Sequence, residues 1–120
     1  MSEFNLVNAL PQIGFGTYLI PNDKAAIAVS TALELGYRHV DTAEGYRNER
    51  GVGSAISAAK KSLGLSRSDI FVTTKLWPGN PEWGMETKDY NETVISLDNS
   101  LKKLGLDYVD LYLIHAPFAL

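Results

Sequence analysis

Four residues whose side chains can carry proton-transfer chemistry stand at comparable points along this sequence. Asp41, Lys75 and His115 each close a short apolar run, and Tyr46 follows the aspartate by five residues. A free phenol has a pKa of about 10 and gives up its proton poorly near neutral pH unless a cation stabilises the phenolate. Lys75 could be that cation, and pairing with Asp41 would offset the cost of burying it.

The histidine completes a set suited to carbonyl reduction. His115 could donate a hydrogen bond to a carbonyl oxygen and fix its orientation while negative charge develops there during attack. Tyr46 would then be the acid that protonates this oxygen. The four residue types together predict reduction of an aldehyde or ketone.

Each residue taken alone also has a structural interpretation. Asp41 could cap a helix or lie in a loop, Lys75 could be a solvent-reaching cation at a strand end, and Tyr46 or His115 could be structural. We assign His39 to a structural role. A metal site on His39, Asp41 and His115 lacks an evident supporting partner, so no metal is predicted. Schiff-base chemistry by Lys75, as in an aldolase-like barrel, needs a neutral amine, and pairing with Asp41 works against it.

The elements that must position these residues alternate along the chain. Short β-type runs over residues 13–18, 37–41, 70–75 and 109–114 predict four strands, the last nearly continuous in apolar residues and typical of a buried parallel strand. Residues 6–11 could form a short N-terminal β-hairpin. Between the strands, apolar residues at helical spacing predict three helices, on Ala26, Val29 and Leu33, on Val52, Ala55, Ile56, Ala59 and Leu63, and on Val94, Leu97, Leu101 and Leu104.

This alternation is typical of an α/β fold with a parallel sheet, in which functional residues project from the C-terminal ends of the strands. The four candidate residues should therefore converge on one rim. An eight-stranded β/α barrel takes about 250 residues. We therefore expect residues 1–120 to be a single domain, the N-terminal half of such a barrel.

Composition limits the partners. The chain has 120 residues, 45% of them hydrophobic and 21% charged, which is ordinary for one globular unit. A net charge of −3 with scattered basic residues argues against nucleic-acid binding. Cysteine is absent, which excludes thiol nucleophiles and disulfides. The start lacks the pattern of a secretory signal and no long apolar run occurs, so we expect a cytoplasmic protein without membrane contact.

Longer stretches of sequence match a known family. Residues 35–49, LGYRHVDTAEGYRNE, resemble the signature of the aldo-keto reductases. Residues 14–17, GFGT, are similar to that family's first strand, residues 73–77, TTKLW, to its lysine strand, and residues 111–115, LYLIH, to its histidine strand. The matches come in the family's order and span nearly the whole chain.

The resemblance implies an NADPH-dependent oxidoreductase acting on small carbonyl substrates, built on an eight-stranded β/α barrel. By the same resemblance Tyr46 is the general acid, Lys75 assists its proton transfer, Asp41 supports Lys75, and His115 orients the substrate carbonyl. It further implies two sets of contacts: Gly16, Thr17 and Asp41 against the nicotinamide, and Tyr18, Trp77 and His115 around the substrate.

Two departures from the family pattern concern the substrate pocket. Tyr18 stands where many members have tryptophan, and residues 78–89, which include Trp83 and Met85, form a longer segment than in compact members. Family members also continue for four more β/α units, whose last loops grip the adenosine 2′-phosphate. We therefore expect this chain alone to be weakly active or inactive. The alternative is a non-catalytic truncated subunit or assembly module that self-associates through open sheet edges.

Overall fold

A computed structural model describes residues 3–117 and shows one parallel sheet with helices against it. The sheet order follows the chain, β1-β2-β3-β4, and every neighbouring pair is parallel. This arrangement confirms the predicted α/β class with four parallel strands. The strands are β1 (Phe15–Gly16), β2 (His39–Asp41), β3 (Phe71–Leu76) and β4 (Leu111–Ile114), and the helices are α1 (Leu6–Ala9), α2 (Asn22–Glu34), α3 (Glu49–Ser62) and α4 (Tyr90–Leu104).

The two faces of the sheet have different surroundings. Val40 and Val72 are partners in the register and point toward the helices, where they are fully buried. Side chains alternate along a strand, so Asp41 and Lys75 lie on the opposite face. The core between sheet and helices consists of Ala25, Val29, Leu33, Val40, Val52, Ala55, Ile56, Ala59, Ile70, Val72 and Leu104.

Glycines in α3 allow the neighbouring helices to approach closely. A Cβ atom at Gly53 would overlap the backbone carbonyl of Leu104 at the end of α4, and one at Gly51 would lie 2.5 Å from the carbonyl oxygen of Asn22 at the start of α2. Both contacts are with backbone, which cannot move aside as a flexible side chain does. The backbone of α3 is thus in direct contact with both flanking helices.

The predicted N-terminal hairpin over residues 6–11 is wrong. Residues Leu6–Ala9 form the short helix α1, and the side chain of Asn5 accepts a hydrogen bond of 3.0 Å from the Val7 N–H. An asparagine at this position satisfies one of the free N–H groups of a helical turn, which favours the turn over a hairpin.

The prediction of a buried fourth strand is also wrong. Leu113 and Ile114 of β4 are 39% and 70% exposed, because β4 lies at one edge of the described sheet. On α4 the buried residues are Ser96, Ser100 and Leu104, while Val94 is exposed. Among residues 3–117, no helix has the length and apolar character needed to span a bilayer.

Candidate active site

A lysine shared by three oxygen atoms forms the centre of the site at the C-terminal ends of the strands. Lys75 Nζ donates to Asp41 Oδ2 at 2.8 Å, to the Thr42 carbonyl at 2.9 Å and to Tyr46 Oη at 3.4 Å. Three acceptors match the three protons of an ammonium group. The Lys75 side chain is only 13% exposed and that of Asp41 is 32% exposed. Each proton of a Lys75 ammonium group therefore has an acceptor within the site.

Strand geometry explains why these groups meet. Asp41 ends β2 and is the register partner of Thr73, so Lys75, two residues further along β3, projects from the same face. Tyr46 lies on the 3₁₀ turn Glu44–Tyr46 that follows β2, which brings its hydroxyl back over the end of the sheet. Adjacent parallel strands thus supply the carboxylate and the ammonium group, and the segment between them supplies the phenol.

The histidine after β4 completes the group. The His115 backbone N–H donates to the Leu76 carbonyl at 2.9 Å, which extends the ladder between β3 and β4. Its ring meets those of Tyr46 and Trp77 edge to face, with centroid distances of 5.4 and 5.7 Å. The structure therefore brings together all four residues that the sequence singled out.

The His115 imidazole is set up as a neutral hydrogen-bond donor. Burial and the nearby Lys75 charge lower its pKa below 6.5, against the opposing influence of Asp41 and Glu44. Its Nδ1 atom is buried and has no hydrogen-bond partner among residues 3–117. An unpaired buried N–H is rarer than an unpaired acceptor, which favours the tautomer with the proton on Nε2.

A cleft of about 550 Å³ opens beside Tyr46 and His115. The rings of Trp77 and Trp83 stack with their centroids 6.0 Å apart and an interplanar angle of 17°. The ring centroids of Tyr18 and Tyr46 are 5.2 Å apart. Aromatic walls of this kind suit an apolar ligand. The residues around the cleft are Tyr18, Gly45, Tyr46, Arg47, Trp77, Trp83, Met85 and His115, which include the three predicted substrate contacts.

The segment of residues 78–89, which places Trp83 and Met85 in the cleft, is attached to the loop after β2 by Glu44. The Glu44 Oε1 atom accepts one hydrogen bond from the Trp77 backbone N–H and one from the Lys88 ammonium, each at 2.6 Å. Sequence reasoning did not identify Glu44. The available signal was an acid inside the family signature, two residues before Tyr46.

The loop that carries Tyr46 is fixed from below by a buried amide. Asn48 is fully buried; its Nδ2 donates to the carbonyls of Thr17 and Ile20 at 2.8 and 3.0 Å, and its Oδ1 accepts the Thr42 hydroxyl at 2.9 Å. These bonds join the ends of β1 and β2. Residue 48 thereby fixes the backbone close to the phenol.

The next residue, a buried carboxylate, has a comparable bridging role. Glu49 is 2% exposed and accepts the Thr74 hydroxyl at 2.8 Å and the Ser100 hydroxyl at 3.2 Å. These bonds connect α3, β3 and α4 directly behind Lys75. They also explain why α4 buries Ser100, since its hydroxyl donates to the Glu49 carboxylate.

The three predicted nicotinamide contacts lie together at the C-terminal ends of the neighbouring strands β1 and β2, in different surroundings. A Cβ atom at Gly16 would have no atom within 4 Å, so this backbone borders open space. Thr17 is fully buried, and its hydroxyl donates to the Asp41 carbonyl at 3.0 Å. Gly16 and the Asp41 carboxylate therefore offer free surface, whereas Thr17 holds the strands together.

His39 lies below this rim. Its Nε2 atom is 2.9 Å from the Thr73 hydroxyl, its ring meets Phe71 edge to face at 5.1 Å, and burial lowers its pKa below 6.5. Within residues 3–117, no cluster of three or more histidine or acidic side chains is arranged to hold a metal ion.

Comparison with known proteins accounts for this arrangement. A sequence profile of the aldo/keto reductase family matches residues 12–120. Glycerol 2-dehydrogenase (NADP(+)) of Saccharomyces cerevisiae is 52% identical over 108 residues, covering 90% of this chain and 30% of the yeast protein. Methylglyoxal reductase DkgA of Escherichia coli K12 is 43% identical over 110 residues, covering 92% of this chain and 35% of the bacterial protein.

Solved structures give the same result. The Bombyx mori aldo-keto reductase in complex with NADP superposes with a TM-score of 0.80 at 41% identity, covering 92% of this chain and 36% of that one. The Schistosoma japonicum aldose reductase superposes with a TM-score of 0.78 at 44% identity, covering 92% of this chain and 35% of that one. The chain thus spans about a third of the length of these relatives. It belongs to the aldo/keto reductase family, and its four strands and three main helices match the N-terminal part of that family's (β/α)8 barrel.

Proposed function

We propose that this chain supplies the proton-donating and carbonyl-orienting residues of an NADPH-dependent reductase of aldehydes and ketones. The observation that carries the proposal is the single ammonium group of Lys75, hydrogen-bonded to both the Asp41 carboxylate and the Tyr46 hydroxyl. The names of its relatives agree, since one is a glycerol 2-dehydrogenase (NADP(+)) and another a methylglyoxal reductase.

Each residue has a defined role in the reaction. A carbonyl oxygen in the cleft would accept hydrogen bonds from Tyr46 Oη and from His115 Nε2, and both donors would stabilise the negative charge that forms there. The proton then moves from Tyr46 to that oxygen and leaves a phenolate. The hydrogen bond from Lys75 stabilises this phenolate, Asp41 holds Lys75 in position, and solvent restores the proton afterwards.

NADPH, when bound, supplies the hydride that adds to the carbonyl carbon. The residues present fit the reacting end of this cofactor, because the exposed backbone at Gly16 and the Asp41 carboxylate border open space beside Lys75. The groups that grip the adenosine 2′-phosphate are expected from later β/α units of the family. We therefore expect weak NADPH binding and negligible turnover from these 120 residues alone.

Two matched tyrosine variants test the role of Tyr46. In a complete barrel that contains this segment, Tyr46→Phe should lower kcat by about 10²- to 10⁴-fold, the usual contribution of a positioned acid, with NADPH affinity unchanged. Tyr18→Phe removes a hydroxyl from the same cleft and should change kcat only slightly. Full activity of the Tyr46→Phe protein would refute the assignment.

A separate measurement tests the expectation for the chain alone. The purified chain is mixed with NADPH and an aromatic aldehyde, and loss of the reduced nicotinamide is followed by absorbance. Turnover comparable with that of a complete reductase would contradict the expected inactivity.

A second candidate function is a non-catalytic module that pairs with another copy of this chain. The observation in its favour is the exposure of apolar side chains on the edge strand β4, at Leu113 and Ile114, and on α4, at Val94 and Ile95. Unpaired strand edges and apolar patches favour association. The molecular mass in solution distinguishes the two, because a monodisperse dimer without NADPH binding would support the module.

Schiff-base chemistry by Lys75 finds no support in the geometry. Its ammonium has three oxygen acceptors, whereas nucleophilic attack requires the neutral amine. Borohydride reduction in the presence of a carbonyl substrate should leave no covalent adduct on Lys75. A mass increase at that residue would reverse this conclusion.

A further inference from the structure

Among residues 3–117, Arg47 is the one lining residue of the cleft that carries a full charge, and it also borders a neighbouring depression. The other residues around the cleft are aromatic, apolar or glycine, apart from His115, whose lowered pKa keeps its ring neutral at neutral pH. None of the described residues around the cleft carries a carboxylate. An apolar cleft with one cation at its side attracts an anion more strongly than a cation or a neutral group.

The position of Arg47 is set by the backbone rather than by an ion pair. Its φ of 58° ends the 3₁₀ turn that carries Tyr46, and its N–H donates to the Glu44 carbonyl at 3.2 Å. The next residue, Asn48, is fully buried and hydrogen-bonded, so the turn is fixed on that side. The Arg47 residue itself is exposed.

The guanidinium has no acidic partner within the described part of the chain. The three ion pairs found there involve Arg67, Lys75 and Lys88. Glu49 lies near Arg47 in a neighbouring depression, but both of its carboxylate oxygens accept hydrogen bonds from buried hydroxyls. An arginine at a cleft wall without an internal partner is available to a ligand, and its planar donors match a carboxylate.

We propose that Arg47 is a specificity-determining residue that binds a carboxylate of the substrate, so that the preferred substrates are aldehydes or ketones carrying a carboxylate. This proposal rests on the proposed function, because it places the substrate carbonyl at Tyr46 and His115. Arg47 and Tyr46 both line the cleft, so one small molecule bound there can contact both. The stacked rings of Trp77 and Trp83 offer a flat apolar wall to the portion between the two groups.

Intrinsic fluorescence can report on the cleft alone, because the chain has two tryptophans and both lie in its wall. The probes are 4-formylbenzoate and its uncharged methyl ester, titrated into the chain at low ionic strength. We expect the acid to bind more tightly than the ester. Arg47→Gln should weaken binding of the acid by about two- to five-fold, the range for a solvent-exposed ion pair, and leave the ester unchanged.

Two further variants separate a direct contact from a general effect of charge. Arg47→Lys keeps the charge but loses the planar pair of donors, so it should bind the acid with intermediate affinity. Arg50→Gln removes the same charge from an exposed residue three positions further along the chain that is not in the cleft wall, and it should leave both affinities unchanged. Salt at 1 M, where the Debye length is about 3 Å, should reduce the preference for the acid.

Each other outcome has a defined meaning. Equal binding of acid and ester, or a preference for the acid that survives Arg47→Gln, overturns the proposal and leaves the proposed function intact. An equal loss with Arg50→Gln also overturns it, because the attraction would then be long-range. If neither aldehyde changes the fluorescence of any variant, the cleft of this chain does not take carbonyl compounds and the proposal for Arg47 is overturned, whereas the proposed function is decided by the Tyr46→Phe variant of the complete barrel.

Discussion

Replacing Asp41 by asparagine should destabilise the chain more than removing its cationic partner. The asparagine side chain has nearly the same shape, but Lys75 keeps its charge with only neutral acceptors, the Thr42 carbonyl and the Tyr46 hydroxyl. Removing one member of a fully buried ion pair costs about 3–5 kcal/mol, whereas an exposed pair contributes about 0–1 kcal/mol.

The exposures of the two side chains determine where the Asp41–Lys75 pair lies between the fully buried and the fully exposed limit. Lys75 is 13% exposed, so water reaches its ammonium poorly once the carboxylate is gone, while Asp41 at 32% can be hydrated without the lysine. We expect Asp41→Asn to cost about 2 kcal/mol and Lys75→Met about 1 kcal/mol. The double variant has no unpaired charge and should lose about 1 kcal/mol, giving a coupling energy of about 2 kcal/mol.

Urea unfolding followed by tryptophan fluorescence measures the free energies of unfolding of the unsubstituted chain, the two single variants and the double variant. The signal comes from Trp77 and Trp83, which lie beside the site in the cleft wall. If the two single effects add to within about 0.5 kcal/mol, as they do for residues that do not interact, the coupling between Asp41 and Lys75 is refuted. A larger loss for Lys75→Met than for Asp41→Asn would contradict the assigned burial.

Three further predictions concern packing and titration. Gly53→Ala should lower the free energy of unfolding by more than about 2 kcal/mol despite better helix propensity, because the new methyl overlaps the Leu104 carbonyl. Both histidines, His39 and His115, should titrate below pH 6.5 by NMR, since burial lowers each pKa. The stability that they contribute is then present above about pH 6.5 and is lost as the pH falls through the lower folded values. Tyr112→Phe should stabilise by about 1 kcal/mol in urea, because its buried hydroxyl has no partner among the described residues.

Each of these predictions has a control or a contrary outcome. Ser57→Ala on the exposed face of α3 should change stability by less than about 0.5 kcal/mol, and an equally small effect at Gly53 would show that the helices are not in contact. A histidine midpoint above pH 6.5 would mean that a carboxylate, not burial, dominates. Tyr112 should also resist ionisation up to a pKa of about 12, so an ordinary phenol titration there would contradict its burial.

Much of the fold was predictable because its patterns are local. The helical spacing of Val52, Ala55, Ile56 and Ala59 predicts α3, and these residues are buried. The polar residues that close the apolar runs predict the rim, because parallel strands place their C-terminal ends together. The contact between Lys75 and Asp41 follows from that rule and from the register of β2 with β3.

The errors arise where the environment of an element lies outside its own sequence. The apolar run ending at Ile114 reads as a buried strand, but burial requires a neighbour on both sides, and β4 has one only at β3 within the described residues. Val94 satisfies a helical pattern, yet α4 turns Ser100 inward toward the buried carboxylate of Glu49. The roles of Glu44 and Arg47 depend on which side chains approach from distant residues, which spacing does not reveal.

The proposed chemistry depends above all on the proximity of the four reacting groups, which NMR on the chain can measure. With Lys75 and the aromatic rings labelled, cross-relaxation should connect the end of the Lys75 side chain to the Tyr46 ring, whose centroid is 5.0 Å from Nζ, and the Tyr46 ring to that of His115. The ammonium protons should exchange slowly with water because all three have acceptors. Rapid exchange with no cross-relaxation to Tyr46 would show that the lysine and the phenol are apart, and the proposed proton transfer would then have no basis.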